Sequence, residues 1–292
     1  MKVLLIGASG QLGQDILRLW TKHEIVPVTH EALDICDAAR VEAMVEETRP
    51  ECVINTAAFH LVDLCEDQAH RAFEVNVGGV CNVARSAEKA GAVLVQFSTD
   101  YVFDGKKASP YVESDRAEPL STYAMSRLAG EWIARHYCSR YFVVRTCGLY
   151  GLAGSKSKTG NFVETMLKLA HAGKPIRVVG DQIVTPTSTA DLAAKLGELV
   201  TRAPFGLYHM TNTGQCSWYE FAAEIFRLFD LKADLSQTTT AAFGAKARRP
   251  PYSVLDNKAM RAAGIPEFRR WQEALADYGR ARQSAAVSQA IP

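Results

Sequence analysis

A chain of 292 residues, 48% hydrophobic and 22% charged, is long enough to bury a sizeable core and fits one large α/β unit or one such unit with a smaller lobe. Its 33 basic residues stand against 32 acidic ones with no strong charge run, so overall charge draws it neither to nucleic acid nor to a membrane surface. Seven scattered cysteines (Cys36, Cys52, Cys65, Cys81, Cys138, Cys147, Cys216) without a C-x-x-C pair argue against a disulfide framework or a zinc cluster. Met1 leads into an apolar run too short for a signal-peptide core, and no run approaches the about 18 apolar residues of a spanning helix. The expectation is a cytoplasmic protein with reduced thiols.

Val3 to Ile6 form a short apolar run that fits a strand buried on both faces, and it ends at Gly7. Gly7, Gly10 and Gly13, with Gln11 and Leu12 between them, then open a helical stretch. Glycines after a strand and before a helix let a pyrophosphate approach backbone N–H groups at the helix start; the alternative is a tight turn that binds nothing. Ile25 to Val28 give a second strand, ending at Thr29, His30 and Glu31. An acidic residue there suits an adenosine ribose and a basic one a 2′-phosphate, so His30 beside Glu31 leaves NADH and NADPH both open. Asp34 and Asp37 precede a helix through about Glu47; Asp34 and Ile35 fit either an adenine contact or a helix cap.

Cys52 to Asn55 is a third strand, followed by the small Ala57 and Ala58, which let a dinucleotide lie against the chain or simply end a strand. A helix is expected over 69–90, with the amide of Asn76 in its middle requiring partners: backbone or water beside the active site, or a neighbouring strand. Ala92 to Phe97 form a fourth strand that delivers Ser98, Thr99 and Asp100. Tyr123 and Arg127 follow at the start of a helical stretch, and their i, i+4 spacing puts phenol and guanidinium on one face. This alternation of strands and helices implies parallel pairing with a crevice at the strand carboxyl ends.

The motifs GxxGxxG at 7–13, NTAA at 55–58, STDYVFDG at 98–105, YxxxR at 123–127 and LAGE at 128–131 resemble those of the extended short-chain dehydrogenase/reductases. With VVRT at 143–146, GNFVETML at 160–167, DQIVTPTS at 181–188 and RPPYSVLD at 249–256, the chain is most similar to the dTDP-4-dehydrorhamnose reductase group. The resemblance implies a Rossmann-type, doubly wound parallel sheet with a smaller C-terminal α/β substrate lobe. It implies reduction of a nucleotide-diphospho-6-deoxy-4-ketosugar by NADPH or NADH. Thr99 then orients the carbonyl, Tyr123 donates the proton, and Arg127 is the cation beside it, completing a catalytic set. The implied cofactor contacts are Gly7, Gly10, Gln11, Leu12, Gly13, His30, Asp34, Ile35, Ala57, Ala58, Asn76, Ser98, Tyr123 and Arg127. The implied substrate contacts are Thr99, Asp100, Tyr101, Asn161, Phe162, Gln182 and Arg249. No metal site is assigned, Asp15 and Asp191 being read as surface helix charges, and a homodimer is compatible with the family.

This sequence departs from the group's pattern at three places. Arg127 stands where the family carries a lysine, Gly148 where a tryptophan is usual, and GLAGSKSKTGN is longer than the usual loop, adding Lys156 and Lys158, which either reach a diphosphate or face solvent. Arginine keeps its charge but seats differently on ribose hydroxyls. A non-catalytic reading therefore stands beside the enzymatic one: a cofactor-binding partner resembling the regulatory subunit of methionine adenosyltransferase.

Beyond a strand at 141–145, glycines at 148, 151, 154 and 160 lead into a helix starting at Asn161, whose N-terminal amides suit the substrate's phosphates. The expected division is 1–150 for the NAD(P)-binding domain, with 176–203 returning to it, and 151–175 and 204–292 for the substrate lobe.

Overall fold

The computed structural model describes residues 1–153 and 160–290, with side chains through 285; Lys156 and Lys158 lie outside the described residues. In chain order, β1 (Lys2–Ile6), α1 (Gln11–Leu19), β2 (Glu24–Val28), α2 (Ala38–Thr48) and β3 (Cys52–Asn55) lead to the short helices α3 (Val62–Asp67) and α4 (Ala69–Phe73). A π-helical turn at Glu74–Gly79 then opens into α5 (Val80–Lys89), followed by β4 (Val93–Thr99), α6 (Thr122–Tyr137) and β5 (Tyr141–Thr146). The second half holds β6 (Leu149–Tyr150), α7 (Phe162–His171), β7 (Ile176–Val179), β8 (Ile183–Val184), β9 (Thr187–Ser188), α8 (Thr189–Arg202) and β10 (Gly206–His209). It closes with β11 (Cys216–Ser217), α9 (Trp218–Leu228), β12 (Leu235–Thr238), α10 (Thr240–Phe243), α11 (Lys258–Ala262) and α12 (Trp271–Ala290). Helix starts follow their side-chain caps: the Asp37 carboxylate accepts from Arg40 N, Ser121 Oγ from Ala124 N, and Ser217 forms a capping box with Glu220.

The main sheet has the order β10-β5-β4-β3-β1-β2, and every pair in it is parallel. Its inner strands β1, β3 and β4 are buried on both faces because helices cover both. Val3 and Leu5 pack with Ile16 of α1, with Trp20 just after it, and with Leu192 and Leu196 of α8. Leu4 and Ile6 pack with Val41 and Val45 of α2, Val80 and Val83 of α5 and Ala134 of α6. The chain leaves β1 for β2 on one side and returns to β3 on the other, so the strand order reverses between β1 and β3. A crevice opens at such a switch point, at the carboxyl ends of the strands.

A separate core joins Val163 and Leu167 of α7, Ile176 and Val178 of β7, Phe221 and Ile225 of α9 and Leu275 of α12. Two segments therefore sit differently from the division drawn on the sequence. β7 pairs with β12 and belongs to this lobe, while β10 pairs with β5 as the edge strand of the main sheet. Both are four-residue strands, whose partner is chosen by long-range pairing rather than by local pattern. Asp15, read as a surface charge, is 5% exposed; it accepts from Thr189 Oγ1 at 2.5 Å and from Arg18, tying α1 to the start of α8. Asp191 is paired with Arg269 at 2.7 Å. Among the described residues no group of three His, Cys, Asp or Glu could hold a metal ion, and no helix is long and apolar enough to cross a membrane.

His209, at the end of β10, is fully buried, with Nδ1 facing the carbonyls of Tyr111 and Asp256 at 3.1 and 3.2 Å. Burial, aided by Arg145, lowers its pKa to about 3. The unfolded histidine takes up a proton near pH ~6.5 and the folded one does not, so stability is fully present above that value and falls as pH drops toward 3. The slope from this residue approaches about 1.4 kcal/mol per pH unit. Urea unfolding at pH 7 and pH 5 should show that loss, and His209→Asn should flatten it.

Candidate active site

The glycine turn is shaped by what surrounds it. Gly7 has φ +82°, and a Cβ there would lie 2.4 Å from Thr56 Oγ1. A Cβ on Gly13 would lie 2.7 Å from the Gly7 carbonyl oxygen and 2.8 Å from Ala8. Only glycine permits this packing of turn on helix. Gly7 N and Ala8 N donate to Val28 O, and Thr56 N donates to Ile6 O, so the ends of β1, β2 and β3 are tied together at the switch point. At the start of α1, Gly10 supplies no side-chain cap, so first-turn N–H groups face the crevice without one. This is the arrangement that receives a pyrophosphate, and the residues fit a dinucleotide.

Other residues expected to contact the cofactor follow the ends of β1, β2 and β3. Gln11 Nε2 donates to Leu149 O at 3.2 Å, and Leu12 is buried in the core beneath. His30 lies just beyond β2, exposed. Asp34 accepts from Cys36 N at 2.9 Å and pairs with Arg71 at 3.2 Å, both of which hold its carboxyl below the usual range; the α2 cap is Asp37. Ile35 packs against Gly79, where a Cβ would lie 2.6 Å from it. Ala57 N donates to Asn55 Oδ1 at 3.1 Å, which sets the path of the Ala57–Ala58 loop over the end of β3.

Helix α6 presents Tyr123, Arg127 and Glu131 on successive turns of the face toward the sheet. Its first turn is anchored by Glu66 of α3, which accepts from Thr122 N and Thr122 Oγ1, both at 2.9 Å. Tyr123 meets Tyr101 edge to face at 6.2 Å between ring centroids. Burial raises the phenol's pKa, whereas the Arg127 charge and the nearby Thr99 hydroxyl act in the opposite direction. Arg127 is 6% exposed, and among the described residues no carboxylate pairs with it. Its guanidinium donates to Phe97 O and, at 3.5 Å, to Asn76 Oδ1, while Nε is buried without a partner. A buried arginine remains charged, so the phenol has a permanent cation beside it.

The helix expected over 69–90 runs from Ala69 to Lys89 and contains a π-helical turn, which carries Asn76. Asn76 Oδ1 accepts from Phe59 N at 2.9 Å, and Nδ2 donates to Phe59 O and to Ser126 Oγ, each at 2.9 Å. With Arg127 added, its amide is engaged by protein groups on both sides. Its position is that of a clamp between the loop after β3 and α6.

At the end of β4, Thr99 Oγ1 accepts from Tyr101 N at 3.2 Å and donates to Asp100 Oδ1 at 3.0 Å. Arg249, from the C-terminal lobe, forms a two-pronged pair with Asp63 of α3 at 2.8 and 3.1 Å and stands beside Tyr101. Thr99, Asp100, Tyr101, Tyr123, Arg127 and Arg249 thus gather at one strand end, above the same sheet edge as the glycine turn.

Other residues singled out on the sequence are not brought to that point by their side chains. Ser98 Oγ donates to Glu131 Oε1 at 2.5 Å, below the strand end. Asn161 caps α7 by accepting from Glu164 N at 3.0 Å and donates to Gly151 O at 2.8 Å, so the helix start expected to meet phosphates is capped internally. Phe162 packs on Trp218 and Phe221, and Gln182 donates to Thr240 Oγ1 at 2.9 Å, both within the lobe. Gly148 has φ +54°, and a side chain there would press on Pro186 and the ring edge of Trp218 at 3.3 Å. Trp218 already fills that space.

The ion pair of Glu131 with Arg145 escaped the sequence reading. Arg145 Nε and Nη2 donate to the Glu131 carboxylate at 2.8 and 2.7 Å, with side-chain exposures of 5% and 1%. The signal was present: Glu131 lies eight residues after Tyr123, on the same helical face.

Known proteins share this architecture over the whole chain. The spore coat polysaccharide biosynthesis protein SpsK of Bacillus subtilis (strain 168) is 41% identical over 97% of this chain and 99% of its own. A dTDP-4-dehydrorhamnose reductase of Streptomyces griseus is 38% identical over 94% of this chain and 91% of its own. The structure of dTDP-4-dehydrorhamnose reductase from Bacillus anthracis str. Ames in complex with NADP superposes with a TM-score of 0.92 at 36% identity, covering 96% of this chain and 99% of that one. The RmlD substrate binding domain profile matches residues 1–283, and the chain belongs to that family.

Proposed function

We propose that the chain reduces the 4-keto group of a nucleotide-diphospho-6-deoxy-4-ketosugar, converting dTDP-4-dehydrorhamnose to dTDP-rhamnose in the cytoplasm, with Tyr123 as proton donor. The observation that carries this reading is the meeting of Tyr123 and Arg127, on one face of α6, with Thr99 at the end of β4, beside the glycine turn of the switch point. Relatives bearing the dTDP-4-dehydrorhamnose reductase name over nearly their full length support the substrate class, and the NADP-bound relative supports the cofactor.

A nicotinamide cofactor held by the glycine turn and the loop after β3 would supply hydride to the carbonyl carbon. Negative charge then grows on the carbonyl oxygen, and the Tyr123 hydroxyl gives its proton there. Arg127 offsets the charge left on the phenolate, replacing the family's lysine in that electrostatic role. Thr99 and Tyr101 border the space where the carbonyl must lie, and Arg249 stands on the lobe side of it. The reductase names of the relatives speak against the regulatory reading.

Mixing the protein with dTDP-4-dehydrorhamnose and NADPH should consume the reduced nicotinamide; tight cofactor binding with no oxidation would overturn the proposal. Arg127→Lys keeps the charge and can retain the Phe97 carbonyl bond, so its kcat should stay within about ten-fold, whereas Arg127→Met should lose roughly 10²-fold, a scale set by one electrostatic contact to a developing charge. Steady-state kinetics of the two variants compare the outcomes.

A further inference from the structure

Asp100, directly after Thr99, is 3% exposed. A carboxyl buried this deeply is ordinarily matched by a cation, yet its hydrogen-bond partners are uncharged. Thr99 Oγ1 donates to Oδ1 at 3.0 Å, and Cys147 Sγ, just beyond β5, donates to Oδ2 at 3.0 Å. The Ser253 hydroxyl, from the C-terminal lobe, faces the same group. Burial pushes the Asp100 carboxyl upward and these donors pull it down; burial and Asp100 together push the Cys147 thiol up. Tyr101 and Tyr123 are the neighbouring phenols, with Arg249 beside the first and Arg127 beside the second.

A threonine hydroxyl has one hydrogen to give. While Thr99 gives it to Asp100 and accepts from Tyr101 N, it has no hydrogen left for the nearby Tyr123 phenol. A protonated Asp100 brings an O–H of its own, and the Thr99 hydrogen is then released to point at the phenol oxygen.

We infer that Asp100 is a positioning residue that sets the direction of the Thr99 hydroxyl, so that Thr99 donates to Tyr123 when Asp100 is protonated and only accepts when Asp100 is ionised. This rests on Tyr123 being the proton donor. When the Tyr123 proton moves to the substrate oxygen, the phenolate that remains is stabilised by a donating Thr99, while Asp100 keeps its own proton throughout. Reduction is therefore faster with Asp100 neutral, and kcat falls as pH rises through the Asp100 pKa.

The test is the pH profile of kcat for the intact protein, Asp100→Asn and Cys147→Ala, with Tyr123→Phe alongside. The unaltered chain should show a decline of kcat with rising pH. Asp100→Asn, whose amide does not titrate and can donate to Thr99, should lose that decline. Cys147→Ala removes one donor from the carboxylate and should move the decline to higher pH, because a hydrogen bond to the ionised form is lost. An Asp100→Asn profile that keeps the original decline, scaled down only, overturns the inference, as does a Cys147→Ala midpoint that does not move. If Asp100→Asn does not fold, the Cys147→Ala midpoint decides alone. Turnover retained in Tyr123→Phe would instead sink the reading of Tyr123, and the two failures are told apart by which variant misbehaves.

Discussion

Tyr123→Phe is expected to lower kcat by about 10²–10⁴-fold, the range supplied by a positioned general acid. The substitution removes one oxygen and keeps the ring, so the edge contact with Tyr101 survives, as do the Ser121 cap, the Glu66 bonds to Thr122 and the bond from Ser126 Oγ to the Tyr123 carbonyl. Stability should hardly change, and because the glycine turn and the loop after β3 are untouched, binding of the reduced nicotinamide should stay within a few-fold. Single-turnover oxidation of NADPH, beside a fluorescence titration of cofactor, separates chemistry from binding. A Tyr123→Phe protein turning over within ten-fold of the parent would place the proton donor elsewhere.

The second large effect is on stability. Glu131→Ala should cost about 3–5 kcal/mol, the range for removing one partner of a buried ion pair. Arg145 would be left charged in a site where its side chain is 5% exposed, with Nη1 already lacking a partner, and Ser98 would lose its acceptor. The change would also loosen α6 against β4 and β5, the contact that holds Tyr123 over Thr99. Urea unfolding measures the loss. Replacing both partners with apolar residues, as in Glu131→Leu with Arg145→Met, should recover much of it, because the penalty arises from the orphaned charge rather than from the missing attraction. A double variant as unstable as Glu131→Ala would show that shape, not charge, dominates there.

Much of the site was legible before folding because its signals are local. The glycine turn needs a strand before it and a helix after it, all within the first 19 residues. Tyr123 and Arg127 share a face by helical spacing alone. The caps Asp37 and Ser217 lie next to the helices they start. Asn76 could be flagged as a buried amide, but its partners Phe59 and Ser126 lie 17 and 50 residues away, and nothing local names them.

The misplacements have the same origin. β7 and β10 are four-residue strands with no pattern that says which sheet they join; pairing with β12 in one case and β5 in the other decides it. Asp15 looked like a helix charge until Thr189 closed over it from 174 residues away.

By itself the sequence determined the alternation of strands and helices, the cofactor turn and the tyrosine–arginine pair, since each depends on backbone conformation and spacing over a few residues. Only the tertiary structure decided what surrounds them: the Phe97 carbonyl and Asn76 on Arg127, Glu131 beneath Ser98, Asp63 on Arg249, and the uncharged shell of Asp100. Those contacts join groups from different elements, and burial, which shifts their protonation and removes water as a competing partner, exists only once the chain has folded.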